Sequence, residues 1–339
     1  MKIFVLSELR EGPWGGGNQF LKGLAQSFGQ SRLLGPSLGE SDVVIVNSHH
    51  WQGKILSLLR WRVSHPAGRI LHRVDGPISV VRGGSAHKLL DRRITLFSRL
   101  VADGTVFQTN WSREHCRSLG LIQKNFRVIS NAPDPEIFYP ASLPDRARIK
   151  TRVISASWSS NPSKGFSLLS QLDGGFDTSR LDLVFIGNSP GSFQRIRQKP
   201  PLPSKELAEE LRNADVFLAP SENDPCSNAL IEAIHCGLVP VALNSGGHPE
   251  IVKNPALLFS NLAELEGLLA LSFAELRHIW GSPKFESMAE ISDSYADFSS
   301  QLLSTPRKKM TLVKLFLFTL VDGPLDIVSR FSNRLTGKK

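Results

Sequence analysis

Short, uninterrupted apolar runs recur along the chain, each followed by a polar or glycine-rich break. Through the first 130 residues they are Ile3–Leu6, Asp42–Val46, Arg69–Val74, Gly104–Gln108 and Phe126–Ile129. They are rich in β-branched residues and lack the alternation of a half-exposed strand. Such runs suit strands buried on both faces, as in a parallel sheet covered by helices. Polar residues stand at their C-terminal ends, Asn47–Ser48–His49–His50 after the second run and Asp75–Gly76–Pro77 after the third. Open α/β sheets bind ligands at that edge. A helix is expected over Asn18–Phe28, after the Gly15–Gly16–Gly17 loop.

From Asp134 to Ile149 the chain turns rich in proline and charge, which predicts a linker. A second series follows. Strands are expected at Thr151–Ser155, Leu181–Ile186, Val216–Ala219 and Leu238–Leu243. Helices are expected at Ser163–Leu172, Glu206–Arg212, Ser227–His235, Leu262–Leu271 and Glu286–Leu303. The fold class is therefore α/β, with two Rossmann-like doubly wound domains facing a central cleft. Their expected bounds are 1–140 and 150–304, followed by a basic amphipathic tail over 305–339.

Composition narrows the partners. The net charge is +9, which favours an anionic partner such as nucleotide phosphates, a lipid phosphate or an acidic membrane surface. Residues 305–339 hold eight Lys or Arg against two Asp, so six of those charges belong to the tail. The body is thus not of a nucleic-acid-binding type. Three cysteines without CxxC spacing argue against a disulfide framework or structural zinc. No apolar run reaches spanning length, and the start reads as a strand, not a signal peptide. The expected location is cytoplasmic. The tail either lies on the inner face of a membrane or packs back on the body as a closing helix.

The segment Ala219–Pro240 carries the most chemistry. A strand runs into an acidic loop, and a helix starts near Cys226–Ser227–Asn228, where free amides can hold phosphate or hydroxyl oxygens. Asp224 stands before that helix and Glu232 two turns inside it, with seven residues between them. Two carboxylates so spaced can hold vicinal hydroxyls of a sugar and of a ribose. Read from composition alone, Asp224 is equally an N-cap and Glu232 a solvated helix residue.

This Asp-x₇-Glu, followed by Cys236–Gly237–Leu238–Val239–Pro240, resembles the signature of the family 4 retaining glycosyltransferases of GT-B fold, with Asp in place of their first Glu. Further elements resemble that family in the same order: Asn131–Asp134, Lys164–Gly165, Ile186–Gly187–Asn188 and Ser245–Gly246–Gly247–His248–Pro249–Glu250. The resemblance implies sugar transfer with retention from a nucleoside-diphosphate sugar to a glycan, lipid-linked or other hydroxyl acceptor. It implies Lys164 on the diphosphate, Glu232 on the ribose, and Asp224 with Cys226, Ser227 and Asn228 on the sugar. Gly187, Gly16 and Gly17 would let backbone approach the donor. The family's Arg, five residues before its Lys, is Ser159 here. One cationic clamp is then missing, or is supplied by Arg152, Arg195 or Arg197.

In the first domain, Asp75 either takes the proton from the acceptor hydroxyl or pairs with Arg73 and caps a loop. His49 and His50 are weaker candidates. No cofactor or metal site is expected: there is no ligand spacing and no strand-end DxD. Two alternatives compete with transfer, a nucleotide-sugar epimerase of the same fold and a non-catalytic sugar-nucleotide-binding protein.

Overall fold

The computed structural model describes residues 1–7, 16–51, 54–141, 150–175, 179–281, 283–307, 318, 320 and 323. The chain forms two compact units. One gathers Met1–Leu9, Leu21–Ser130 and Ala289–Lys339, the other Arg10–Phe20 and Asn131–Met288.

The first unit alternates strand and helix: β1 Ile3–Leu6, α1 Gly16–Gln30 (its residues up to Phe20 cluster with the second unit), β2 Val43–Asn47, α2 Ile55–Ser64, β3 Arg69–Val74, α3 Ile78–Arg82, α4 Ser85–Leu100, β4 Gly104–Phe107, α5 Asn110–Ser118 and β5 Phe126–Val128. The sheet is parallel, in the order β1-β2-β3-β4-β5. Every residue of β2, β3 and β4 is buried, including Arg69, His72 and Arg73 of β3. On the far side of β1, Ile3 donates to Leu33 O and Gly35 donates to Ile3 O, both at 2.8 Å. The chain thus visits one flank of β1 before it crosses to β2, and its winding reverses there. The buried His72 of β3 is satisfied on both nitrogens. Nε2 donates to Ser48 O (2.8 Å), which leaves Nδ1 to accept from Ser98 Oγ (2.6 Å).

The second unit runs β6 Thr151–Ser157, a 3₁₀ turn Pro162–Lys164, α6 Phe166–Gly175, β7 Leu181–Gly187, β8 Arg197–Lys199, α7 Ser204–Arg212, β9 Val216–Ala219, α8 Asn228–His235, β10 Val239–Leu243, α9 His248–Val252, β11 Leu258–Phe259, α10 Leu262–Ala270 and α11 Phe273–Trp280. Its parallel sheet has the order β11-β10-β9-β6-β7-β8. The chain enters at the centre, winds outward through β7 and β8, returns beside β6 at β9 and winds the other way. This is the dinucleotide-binding order, and the reversal between β6 and β9 is where such sheets open a crevice. Phe185, Phe217, Val239 and Val241 fill the strand layer, and Leu230 and Ile234 of α8 pack against it.

The last long helix, α12 Met288–Ser304, was assigned by the sequence reading to the domain 150–304. From Ala289 onward it clusters instead with the first unit. Tyr295, Phe298 and Leu302 are buried, and a Cβ on Gly104 of β4 would lie 2.8 Å from Leu302. The helix has no basic residue in its last turn. Arg69 of β3 supplies that charge, donating to Leu302 O and Thr305 O, each at 2.8 Å. Helical periodicity located α12 but carried no information on which core would bury it.

Positions 142–149 of the expected linker and most of the tail lie outside the described residues. Two tail residues rest on the first unit. Arg307 donates to Pro66 O (2.8 Å), and Phe318 is fully buried, 5.8 Å from Phe97 and 6.3 Å from Trp51 between ring centroids. Among the described residues no helix is long and apolar enough to cross a membrane.

Arg62 and Asp103 form a buried bidentate pair, and Asp103 also accepts Ile70 N–H at 2.8 Å. Asp103→Ala would remove the carboxylate that the buried guanidinium pairs with. It is expected to cost about 3–5 kcal/mol in denaturant unfolding.

Candidate active site

β6 and β9 are neighbours, and the loops that leave them are fixed to each other. Asn161 accepts Ser163 N–H (3.0 Å) and starts the turn Pro162–Lys164; Gly165 closes it at φ +81°. A Cβ on Gly165 would lie 2.3 Å from Pro220 O, so only glycine fits. Ser163 O accepts Glu222 N–H at 2.7 Å. The result is a direct ion pair: Lys164 Nζ donates to Asp224 Oδ2 at 2.8 Å.

The loop after β10 supports Asp224 from another direction. Gly247 donates to Asp224 O (2.8 Å), and Ser245 Oγ accepts Asn223 N–H (2.9 Å). Gly246 has φ +64°, and a Cβ there would lie 2.3 Å from Asp224 O. The buried His248 must carry its proton on Nδ1, which donates to Leu243 O (2.9 Å). Its Nε2 therefore accepts from Ser221 Oγ (3.2 Å). Burial pushes the Asp224 carboxyl up, but Lys164 and the Cys226 amide hold it below the ordinary carboxylate value. It is ionised at neutral pH.

Behind Asp224, the buried Cys226 donates its amide to Asp224 Oδ1 (3.2 Å). Ser227 is the N-cap of α8, yet its side chain makes no capping bond, so the first amides of the helix keep their capacity for a ligand. Asn228 accepts from Asn131 Nδ2 at 2.9 Å. Gly16 lies against the same Asn228, where a Cβ would come within 2.4 Å of it, whereas nothing lies within 4 Å of a Cβ on Gly17. The sequence places these two glycines in a loop before the helix expected at Asn18. They are the first residues of α1, and Gly16 is required by close packing.

Glu232 differs from Asp224 in kind. It lies on α8 with 8% exposure, and its carboxyl has no hydrogen bond or ion pair with the described residues. Burial alone pushes its carboxyl up to about 8. Reading the two acids as an equivalent pair missed this: one is ionised and held by a cation, the other waits for a partner.

Gly187 ends β7 at φ +134°, where a Cβ would lie 1.9 Å from Ser157 O. Ser159 shapes the loop after β6 through its O, which accepts from Ser157 Oγ (2.8 Å), and its Oγ, which accepts Asn161 N–H (3.2 Å). Two of the cations suggested as substitutes for an Arg at this position are placed elsewhere. Arg152 at the start of β6 and Arg197 at the start of β8 both pair with Asp182, at 2.8 and 2.7 Å. Asp182 is the second residue of β7, so this pairing belongs to the opposite edge of the sheet. Arg195 is anchored by its amide to Asp173 (2.7 Å), near the end of α6.

In the first unit, Asp75 follows β3. Its carboxylate accepts from Arg73, from Asn47 Nδ2 (2.9 Å) and from Gln108 Nε2 (3.2 Å), and His50 Nε2 stands 4.0 Å away. Burial raises its pKa, but Arg73, His50 and Asn47 bring it below the usual value. The pairing with Arg73 is thus present. His49 is driven down to about 3, by burial first and then by His50. Sequence reasoning did not assign roles to Ser221, Asn223, Ser245 or His248. Their signal was their place in the Ala219–Pro240 segment and in the Ser245–Glu250 element.

The Glycosyl transferases group 1 family matches residues 177–262, a span that holds β7 to β11 with Asp224 and Glu232. A search of curated proteins by sequence gives no match. The fold is similar to HepE from Anabaena in complex with UDP and glucose, at 14% identity and TM-score 0.68, covering 88% of this chain and 99% of that one. It is also similar to sucrose-phosphate synthase from Thermosynechococcus elongatus, at 14% identity and TM-score 0.62, covering 89% and 97%. The catalytic domain of starch synthase IV from Arabidopsis thaliana, bound to ADP and acarbose, aligns at 14% identity and TM-score 0.57, covering 86% and 79%. The chain is a glycosyltransferase with the GT-B fold. The group 1 match thereby favours transfer over the epimerase and non-catalytic readings.

The state of Glu232 in this glycosyltransferase has a measurable consequence. Its folded pKa of about 8 exceeds the ordinary 4.5, so between those values the folded protein keeps a proton that the unfolded chain has lost. Stability therefore falls as pH rises through that window. Glu232→Gln is expected to flatten this slope and to raise the melting temperature at pH 8, read by thermal unfolding across pH.

Proposed function

We propose that the enzyme moves a sugar from a nucleoside-diphosphate sugar to a hydroxyl acceptor, with retention and without a metal ion. The acceptor class is a glycan or a lipid-linked sugar. The observation that carries this reading is the grouping of Lys164, Asp224 and the uncapped start of α8 around the β6/β9 reversal, with the unpaired Glu232 on the same helix. The crystal structures of HepE hold UDP with glucose or UDP-glucose, and starch synthase IV holds ADP, so related folds accept different bases.

In this scheme the Lys164 ammonium donates one of its three N–H hydrogen bonds to Asp224 and keeps two N–H groups for the diphosphate. The first amides of α8 add the positive end of the helix dipole. Glu232 takes the ribose hydroxyls, whose donors restore the charge that burial suppresses. Asp224, with Cys226, Ser227 and Asn228, orients the sugar. Gly187, Gly16 and Gly17 keep side chains out of the donor's path.

As the anomeric C–O bond to phosphate lengthens, positive charge develops on the sugar ring and negative charge on the leaving diphosphate. Lys164 and the helix start stabilise that leaving group more as its charge grows. The acceptor oxygen then bonds to the anomeric carbon, and its proton passes to the departing phosphate oxygen, which gives retention. Asp75, held by three donors, positions the acceptor's surroundings more readily than it takes a proton. The proposed location is cytoplasmic, with the basic tail meeting an anionic inner membrane face at a lipid-linked acceptor.

A thermal-shift screen of nucleoside-diphosphate sugars would identify the donor. With that donor, Lys164→Ala is expected to lower kcat/KM about a hundredfold. Glu232→Gln is expected to raise the donor KM about tenfold. Transfer at the wild-type rate in both variants would overturn the assignment.

A further inference from the structure

Among the described residues, three exposed apolar side chains, Leu119, Ile122 and Phe126, fall on one short stretch, the loop from α5 into β5. Exposed apolar residues scattered singly are ordinary, whereas grouped ones with a polar rim mark an interaction surface. The loop is anchored on either side of Ile122. Leu121 is buried with Ile94 and Phe107, and its amide donates to Cys116 O (3.0 Å). Gln123 Nε2 donates to Ser98 O (2.8 Å) in the last turn of α4, and Asn125 Nδ2 donates to Asp103 O (3.2 Å). Between these fixed neighbours Ile122 is held 68% exposed.

The surroundings of the loop are cationic. Between Asp103 and Asp134, Arg113, Arg117, Lys124 and Arg127 stand against a single acid, Glu114. The Arg113 guanidinium lies 4.4 Å from the Phe126 ring centroid, so charge and apolar area adjoin. β5 runs parallel to β4 and begins at Phe126, which puts the loop at the amino edge of the first sheet, away from Asn47 and Asp75. α12 ends at the same edge. Arg69, the first residue of β3, holds Leu302 O and Thr305 O, and Arg127 donates to Gln301 Oε1 at 3.0 Å. The chain therefore passes Arg307 at this edge, and positions 308–339 add seven Lys or Arg against two Asp.

We infer that the amino edge of the first sheet docks on an anionic lipid membrane, with Leu119, Ile122 and Phe126 in the headgroup–acyl boundary and Arg113, Arg117, Lys124 and Arg127 on lipid phosphates. The inference rests on the membrane reading proposed for the tail and moves part of the contact onto the folded body. A few apolar side chains or a few cations alone bind a bilayer weakly, and stable attachment needs both signals together. The carboxyl edge, at Asp75, then stands about 20 Å from the bilayer, the length of β3. A membrane-borne glycan chain covers that distance.

The test is flotation of the full chain with phosphatidylcholine vesicles, with and without phosphatidylglycerol. The wild type is expected to bind the phosphatidylglycerol vesicles and to leave them as salt is raised. Ile122→Ser is expected to lower the partition coefficient about fivefold. Arg117→Glu is expected to lower it about tenfold. Both side chains are exposed, so the melting temperature of each variant should match the wild type. Equal binding by the wild type and both variants would overturn the docking surface and leave the membrane to the tail. A wild-type chain that binds neither vesicle would remove the tail reading as well. Self-association of the wild type without lipid, seen by sedimentation velocity and abolished by Ile122→Ser, would overturn the inference in favour of an interface between copies.

Discussion

Three backbone carbonyls, those of Ser157, Pro220 and Asp224, occupy space that a side chain on a neighbouring segment would otherwise fill. Opposite them stand Gly187, Gly165 and Gly246, each with positive φ, at distances from the missing Cβ of 1.9 to 2.3 Å. These approaches bring the segments after β6, β7, β9 and β10 into one rigid group at the carboxyl edge of the second sheet. Everything proposed for the site hangs on that rigidity. Lys164 reaches Asp224 because Gly165 lets its turn settle against Pro220, and Asp224 is held still because Gly246 admits its carbonyl.

On that frame, two acids eight positions apart take opposite electrostatic states. Asp224 has a cation, a buried histidine and an amide around it, and is ionised. Glu232 has burial without compensation, and its proton is retained to about pH 8. A buried carboxyl without a counter-charge is costly to ionise, and a ligand that donates hydrogen bonds to it relieves that cost. The glycosyltransferase thus keeps one acid engaged and one in reserve.

The first unit shows the same physics used for architecture. Several of its buried polar side chains are paired: His72 with Ser48 and Ser98, Arg62 with Asp103, Arg73 with Asn47 and Asp75. Arg69 reaches the carbonyl end of α12, so the helix that closes the described chain is held to the first sheet by charge as well as by Phe298 and Leu302.

Apolar runs of four to six residues were enough to locate the main strands, because a strand buried on both faces cannot alternate. The order of Asn131, Lys164, Gly187, Asp224-x₇-Glu232 and Gly246 was enough to indicate sugar transfer, since each needs a residue type that few others replace. Sequence also marked Gly165, Gly187 and Gly246 as special without revealing what they face. Tertiary structure alone decided the rest. It put Arg152 and Arg197 at the wrong edge, because a strand's two ends look alike in composition but lie on opposite sides of the sheet. It carried α12 back to the first unit, because periodicity defines an apolar face but not the core that receives it. It also separated Asp224 from Glu232, because protonation depends on burial and on neighbours brought together from three loops, and no spacing along the chain records them.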